Sequence, residues 1–136
     1  MRFMVVVKAT KNSEAGMLPT KDLLAAMGRF NDELVKAGVM LAGEGLQPSS
    51  KGARVKFSGK QCMVTDGPFT ETKELIAGFW LWEVKSMDEA LEWAKRCPAS
   101  GNEVIEVRQV QEFADFPPDV QDAAAGFEQM QQAAKK

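Results

Sequence analysis

A ferredoxin-like α+β sandwich with an inserted β-hairpin and a C-terminal helix is the fold class that three features of this chain predict. The elements run in the order strand, helix, strand, hairpin, strand, helix, strand, helix, which is two βα units with strand pairing between them. The two intended helices are amphipathic and can cover one sheet face only. Residues 76–84 are apolar on both faces, with Phe79 and Leu81 on one and Trp80, Trp82 and Val84 on the other. The face that the helices leave bare therefore needs a cover, and a second copy of the sheet is the economical one.

Each element has its own signal. Residues 2–8 centre on Val5-Val6-Val7, a β-branched run that reads as a buried strand. Residues 9–19 are small, polar and broken by Gly16 and Pro19, and read as a loop. Thr20 stands as an N-cap before a helix with Leu23, Met27, Phe30 and Leu34 on one face, and Gly38 is placed to end it through a left-handed cap. Residues 39–44 read as a second buried strand, and 45–52 as a turn-rich loop. Residues 54–58 and 61–65 flank Gly59-Lys60 as the arms of a hairpin.

Residues 66–75 carry a Gly-Pro turn and a run of polar and charged side chains directly before the two-faced strand. Ser86-Met87-Asp88-Glu89 is a capping box that opens a helix, and Pro98 closes it. Residues 103–110 alternate as the last strand of the sheet. The tail from Asp119 onward has a thin apolar stripe of Val120, Ala123, Phe127, Met130 and Ala134, and is expected as a helix laid on the domain or on a second subunit. Residues 1–116 thus form the domain and 117–136 its extension.

Composition narrows the function. A chain of 136 residues, 45% hydrophobic and 26% charged, is long enough for one domain with a core. Its formal charge of −2, with both signs interspersed, offers no basic stripe for phosphates, so no direct nucleic-acid partner is expected. No apolar run approaches the ~20 residues that span a bilayer, and the N-terminal segment is too short for a signal peptide. A cytoplasmic protein with no membrane partner is expected. Cys62 and Cys97 lack CxxC spacing and read as free thiols. The sequence holds no histidine, which removes the commonest general base and the commonest metal ligand together. Neither a metal nor another cofactor is expected.

Asp66, Glu71, Lys73 and Glu74 gather carboxylates and an ammonium beside an apolar wall, where a small polar ligand would be bound or deprotonated. Asp66 and Glu44 are the candidate catalytic carboxylates; Asn31, Phe69, Glu71, Lys73 and Trp80 are the candidate ligand-binding residues. Each has a structural alternative. Asp66 can serve its own turn, Glu44 can simply end a strand, Asn31 can cap a loop, Lys73 can lie in solvent, and Trp80 can belong to the core or to a dimer interface.

Asp66-Gly67-Pro68-Phe69, Glu71-Thr72-Lys73-Glu74 and Gly78-Phe79-Trp80-Leu81 resemble the DGPF-domain branch of the YCII-related family. The match extends to Phe30-Asn31-Asp32-Glu33-Leu34, Lys36-Ala37-Gly38, Gly43-Glu44-Gly45-Leu46-Gln47-Pro48-Ser49-Ser50, the helix at 86–98 and Glu106-Val107-Arg108, over residues 1–116. The resemblance implies a dimeric α+β barrel, two ferredoxin-like sandwiches meeting sheet to sheet with pockets near the interface. Enzyme-like members of the wider family use a histidine on or near the first helix together with an aspartate; Met27 marks the equivalent place here, so that dyad is not carried over. The resemblance also implies a link of DGPF-type proteins to extracytoplasmic-function sigma factors, and one related type is a lyase on chlorinated lactones. The expectation is a homodimer that binds a small-molecule ligand. The alternatives are a regulatory accessory linked to such sigma factors, or a lyase or isomerase without histidine.

Overall fold

The computed structural model describes residues 1–72, 74–99, 101 and 103–134, without the side chain of residue 124. In chain order the elements are β1 (Arg2–Lys8), α1 (Lys11–Glu14), α2 (Lys21–Lys36), β2 (Met40–Gly45), β3 (Ala53–Ser58), β4 (Gln61–Asp66), β5 (Ile76–Glu83), α3 (Met87–Lys95), β6 (Ile105–Gln109) and α4 (Pro118–Ala134). Short 3-10 turns occupy Ser49–Lys51 and Phe113–Asp115. Four strands form one antiparallel sheet in the order β2-β5-β1-β6, and β3 and β4 form a second sheet of their own. With the hairpin set aside, that order and the α2 and α3 crossovers are those of the ferredoxin-like sandwich, so the predicted α+β class holds.

The two faces of β5 divide as its alternation requires. Trp80, Trp82 and Val84 join Phe3 and Val5 of β1 under Phe30 and Leu34 of α2 and Ala90 of α3, and this cluster is the core. Aromatic edges interlock there: the Phe30 ring stands at 80° to that of Trp80, 5.8 Å away, and at 68° to that of Trp82, 6.3 Å away. Such edge-to-face contacts are preferred because the positive ring edge meets a negative face. On the opposite face Val6 lies across from Phe79 and Met4 across from Leu81. This second apolar face is rimmed by Arg2, Glu83, Glu106 and Arg108, which the register places beside or across from those residues.

The helix ends follow their caps. The Leu23 amide donates to Thr20 Oγ1 at 3.1 Å, and Gly38, at φ +72°, closes α2 with its amide on the Val35 carbonyl. The Glu89 amide donates to Ser86 Oγ at 3.1 Å, while the Glu89 carboxylate accepts from the Lys85 amide, one residue before the cap.

Three expectations are corrected. The stretch 9–19 is not loop throughout: α1 forms one turn, because Thr10 and Ser13 cap each other reciprocally. The strand at 39–44 is observed as β2 but is not buried along its length, since it pairs with β5 alone and is the edge of the sheet. The last strand begins at Ile105 rather than at 103. The hairpin forms with its two-residue Gly59-Lys60 turn, and every residue of both arms is exposed. The tail is helical, as expected.

Close approach of β2 to β5 depends on a missing side chain. A Cβ on Gly78 would stand 2.8 Å from the Glu44 carbonyl oxygen and 3.3 Å from the Gly45 Cα, whereas one on Gly45 would meet nothing within 4 Å. Gly78→Ala is therefore expected to cost about 1–3 kcal/mol, and Gly45→Ala to change stability by no more than about 0.5 kcal/mol. Urea denaturation midpoints of the two variants check this; equal midpoints would contradict it.

Candidate functional site

Ser49 is one of the points that fasten the start of the stretch after β4. A Cβ on Gly67 would stand 1.8 Å from the Ser49 carbonyl oxygen, so only glycine lets the two loops touch. The Gly67 amide donates to the Gly52 carbonyl at 3.0 Å, and the Gly67-Pro68 peptide is cis. Ser49 donates through its amide to Glu14 Oε2 at 2.9 Å and through its hydroxyl to Glu14 Oε1, while Ser49 Oγ accepts from the Phe69 amide at 3.0 Å. One serine thus joins α1, the loop after β2 and the loop after β4. Arg54 of β3 completes the arrangement, its guanidinium 3.8 Å above the Phe69 ring and 3.7 Å from Glu71 Oε2.

The candidates from the sequence are distributed over three places. Asp66, Phe69 and Glu71 come together at the base of the hairpin, where Phe69 and Glu71 are engaged by Arg54. Asp66 ends β4 exposed to solvent, and no hydrogen bond or ion pair reaches its carboxylate among the described residues. Glu44 lies on β2 across from Phe79, on the face away from the helices, and is exposed. Asn31 and Trp80 form a third group: Trp80 Nε1 donates to Asn31 Oδ1 at 2.9 Å, and the indole is buried in the core against Phe30. Lys73 lies outside the described residues.

A cavity of about 400 Å³ opens where none of these residues is. It lies at the end of the sheet where β1 finishes and β6 begins, between the first turns of α2 and the end of α3. Val7, Leu23, Met27, Cys97 and Ile105 give it an apolar wall, and Met17, Leu18 and Pro19 of the segment before α2 cover it. The hydroxyls of Thr10 and Thr20 at its margin accept from the Ser13 and Leu23 amides, so they hold caps in place. Burial, followed by the Glu103 carboxylate, pushes the Cys97 thiol up to about 11. The thiol is therefore protonated near neutral pH, and it donates to the Pro98 carbonyl at 3.5 Å. Met27 of α2 lines the same cavity.

Sequence reasoning missed Glu14, Arg54 and the cavity role of Cys97. The Thr10-x-x-Ser13 spacing was the one local signal for α1, and hence for the position of Glu14. Among the described residues no group of three or more His, Cys, Asp or Glu side chains is placed to hold a metal ion, and no helix is long and apolar enough to cross a membrane.

The order of the strands, the two helices on one face and a pocket at the strand ends define a small ferredoxin-like α+β domain. The sequence pattern of the YCII-related domain matches residues 1–114, and the chain belongs to that family. An uncharacterized protein of Rhizobium meliloti (strain 1021) is 37% identical over 75 residues, a match that takes in 55% of this chain and 57% of that protein. Among solved structures, the 5-chloro-2-hydroxyhydroquinone dehydrochlorinase of Burkholderia phenoliruptrix AC1100, in complex with 2,5-dihydroxybenzoquinone, aligns with a TM-score of 0.42 at 19% identity over 85% of this chain and all of that one.

The protonation state of Cys97 has a direct readout. In a Cys62→Ser variant, the alkylation rate of Cys97 is expected to climb about tenfold per pH unit from pH 8 to pH 10, because the thiolate is the reacting form and its fraction keeps rising below the folded-state value. A rate that flattens between pH 9 and pH 10 would show an unperturbed thiol.

Proposed function

We propose that this protein binds a small, largely apolar molecule in the cavity between α2, α3 and the ends of β1 and β6, and does so as a homodimer of the dimeric α+β barrel type. The observation that carries this reading is the cavity itself. Its volume, about 400 Å³, lies in the range of small-molecule sites, and its apolar wall with a few polar groups at the margin is the usual make-up of such sites. The 66–69 stretch, Asp66-Gly67-Pro68-Phe69, supports the DGPF branch of the family.

Binding is favoured over acid–base turnover by what lines the wall. The thiol of Cys97 is held protonated, Met27 is a thioether, and the Thr10 and Thr20 hydroxyls serve caps; the ionisable groups of the lining are engaged elsewhere, Lys8 with Glu106 at 3.8 Å and Glu103 with the Gly101 amide at 3.0 Å. The reading makes no use of Asp66 or Glu44, whose carboxylates are exposed away from this wall. Pairing of two subunits is supported by the apolar face formed by Met4, Val6, Phe79 and Leu81 on the side of the sheet away from α2 and α3, where Met4 is exposed, Phe79 and Leu81 are half-buried and Val6 is buried. A second copy of that face would bury it with the charged rim outside.

A thermal-shift screen of small metabolites tests the site. A ligand that binds only the native state at about 100 times its Kd adds about 2.7 kcal/mol of apparent stability. Met27→Trp, which fills the cavity, is expected to abolish that shift while keeping a cooperative transition; an undiminished shift in this variant would move the site elsewhere. Sedimentation tests the pairing, with a dimer expected at micromolar concentration and a monomer expected for Leu81→Lys. A monomeric parent protein would overturn it.

A further inference from the structure

The hairpin of β3 and β4 is an unfinished piece of structure. Its register puts Val55 opposite Val64 and Phe57 opposite Cys62, so these four side chains share one face, and Arg54, Lys56, Met63 and Thr65 share the other. Among the described residues nothing covers the first face: Val55 is 53%, Val64 64% and Phe57 78% exposed. A lone two-stranded ribbon is marginal in water, and a stable one packs its apolar side against something.

The tail presents the complementary surface. Beside α4 the chain forms an apolar groove of about 360 Å³, walled by Phe113, Phe116, Val120, Ala123 and Phe127. Phe127 and Met130, on the same stripe, are 65% and 66% exposed. Charge divides between the two surfaces. Residues 51–66 carry Lys51, Arg54, Lys56 and Lys60 against Asp66 alone, whereas residues 113–136 carry Asp115, Asp119, Asp122 and Glu128 against Lys135 and Lys136. Lys51, Lys56 and Lys60 have no ion pair among the described residues, and neither do Asp119, Asp122 and Glu128.

The two surfaces leave the four-stranded sheet at opposite ends. Gly45, the last residue before the hairpin loop, registers through Gly78 with Val7, while Gln109, where the tail departs, registers with Phe3. We propose that the apolar face of the hairpin docks onto the α4 groove of a second copy of this chain, with Phe57 entering between the groove's phenylalanines and with Lys51 and Lys60, at the two ends of the ribbon, facing the tail carboxylates. A two-fold pair makes this contact twice and leaves neither hairpin nor groove open, whereas a head-to-tail arrangement would propagate without closing. The contact uses surfaces separate from the sheet face and from the cavity, so it stands or falls apart from both.

Mixed disulfide trapping tests it. One chain keeps Cys62 and carries Cys97→Ser; the other carries Cys62→Ser, Cys97→Ser and Gln131→Cys at the groove. Mild oxidation of the mixture is expected to give a cross-linked pair of the two different chains, at least about tenfold faster than with Leu24→Cys on α2 in place of Gln131→Cys, and falling as salt is raised toward about 1 M. Phe57→Asp in the first chain is expected to remove that advantage. Equal trapping at the α2 position, indifference to Phe57→Asp, or predominant cross-linking of Cys62 to Cys62 would each overturn the proposal. Hydrogen exchange gives a second reading without cysteines: hairpin amides should gain protection as protein concentration rises, and protection that is the same at all dilutions would count against a second copy.

Discussion

The structure depends on how β5 buries its two indoles. Trp80 and Trp82 lie on the helix side with centroids 5.6 Å apart, and Phe30 meets both with its edge. Two tryptophans two residues apart on a central strand bring a large apolar area to one place, but each also brings an N–H that must leave water. Trp80 is satisfied by Asn31 from α2, a bond that sets the angle of the helix on the sheet as well as the energy of the indole. Trp82 Nε1 has no partner among the described residues, a cost of about 1–3 kcal/mol that the burial of the ring must offset. Phe3, Leu34 and Val5 are fully buried in the same core, and their burial adds to that offset.

Backbone approach is the second constraint, and it explains where glycine stands. The ring of Trp80 lies over Gly43, where an added Cβ would come within 2.7 Å of it. Gly78 lets β2 approach β5, and Gly67 lets the loop after β4 reach Ser49. The last of these has consequences beyond its own loop. Because Ser49 also holds Glu14, the hairpin base and α1 are set by the same few hydrogen bonds, and α1 lies in the segment that covers the cavity. A bidentate pair does similar work at the other end of the sheet, where Arg2 donates to Glu112 at 2.7 and 2.9 Å as the chain turns from β6 toward the tail.

The chemistry of the cavity follows from what surrounds it. Apolar walls penalise charge, and the neutral state of Cys97 is one outcome of that penalty. The chain has no histidine, and it is Met27 and the neutral Cys97 thiol that line the cavity beside Val7, Leu23 and Ile105. The carboxylates that drew attention in the sequence lie instead at exposed strand ends, where water solvates them.

Much of the fold was legible in the residues because alternation and capping are local. The split of Phe79 and Leu81 from Trp80 and Trp82, the caps at Thr20 and Ser86, and the Gly59-Lys60 turn each require only a few neighbouring residues to be read. The edge position of β2 was not legible, since Met40-Leu41-Ala42 is as apolar as a central strand and only pairing reveals which side lies open. The site was legible least. Asn31 and Trp80 were each singled out as candidate ligand-binding residues, but that they bond to each other depends on α2 crossing β5 at one angle. Glu14 and Ser49 carry no mutual signal across the intervening chain. The cavity is assembled from the ends of four elements, and empty space has no sequence period. By itself, then, the sequence determined which residues form strands and helices and which faces they bury, because those follow from side-chain direction along a regular backbone. Only the tertiary structure decided which loops meet, which polar groups are spent on one another and where room is left over, because these depend on contacts between residues far apart in the chain.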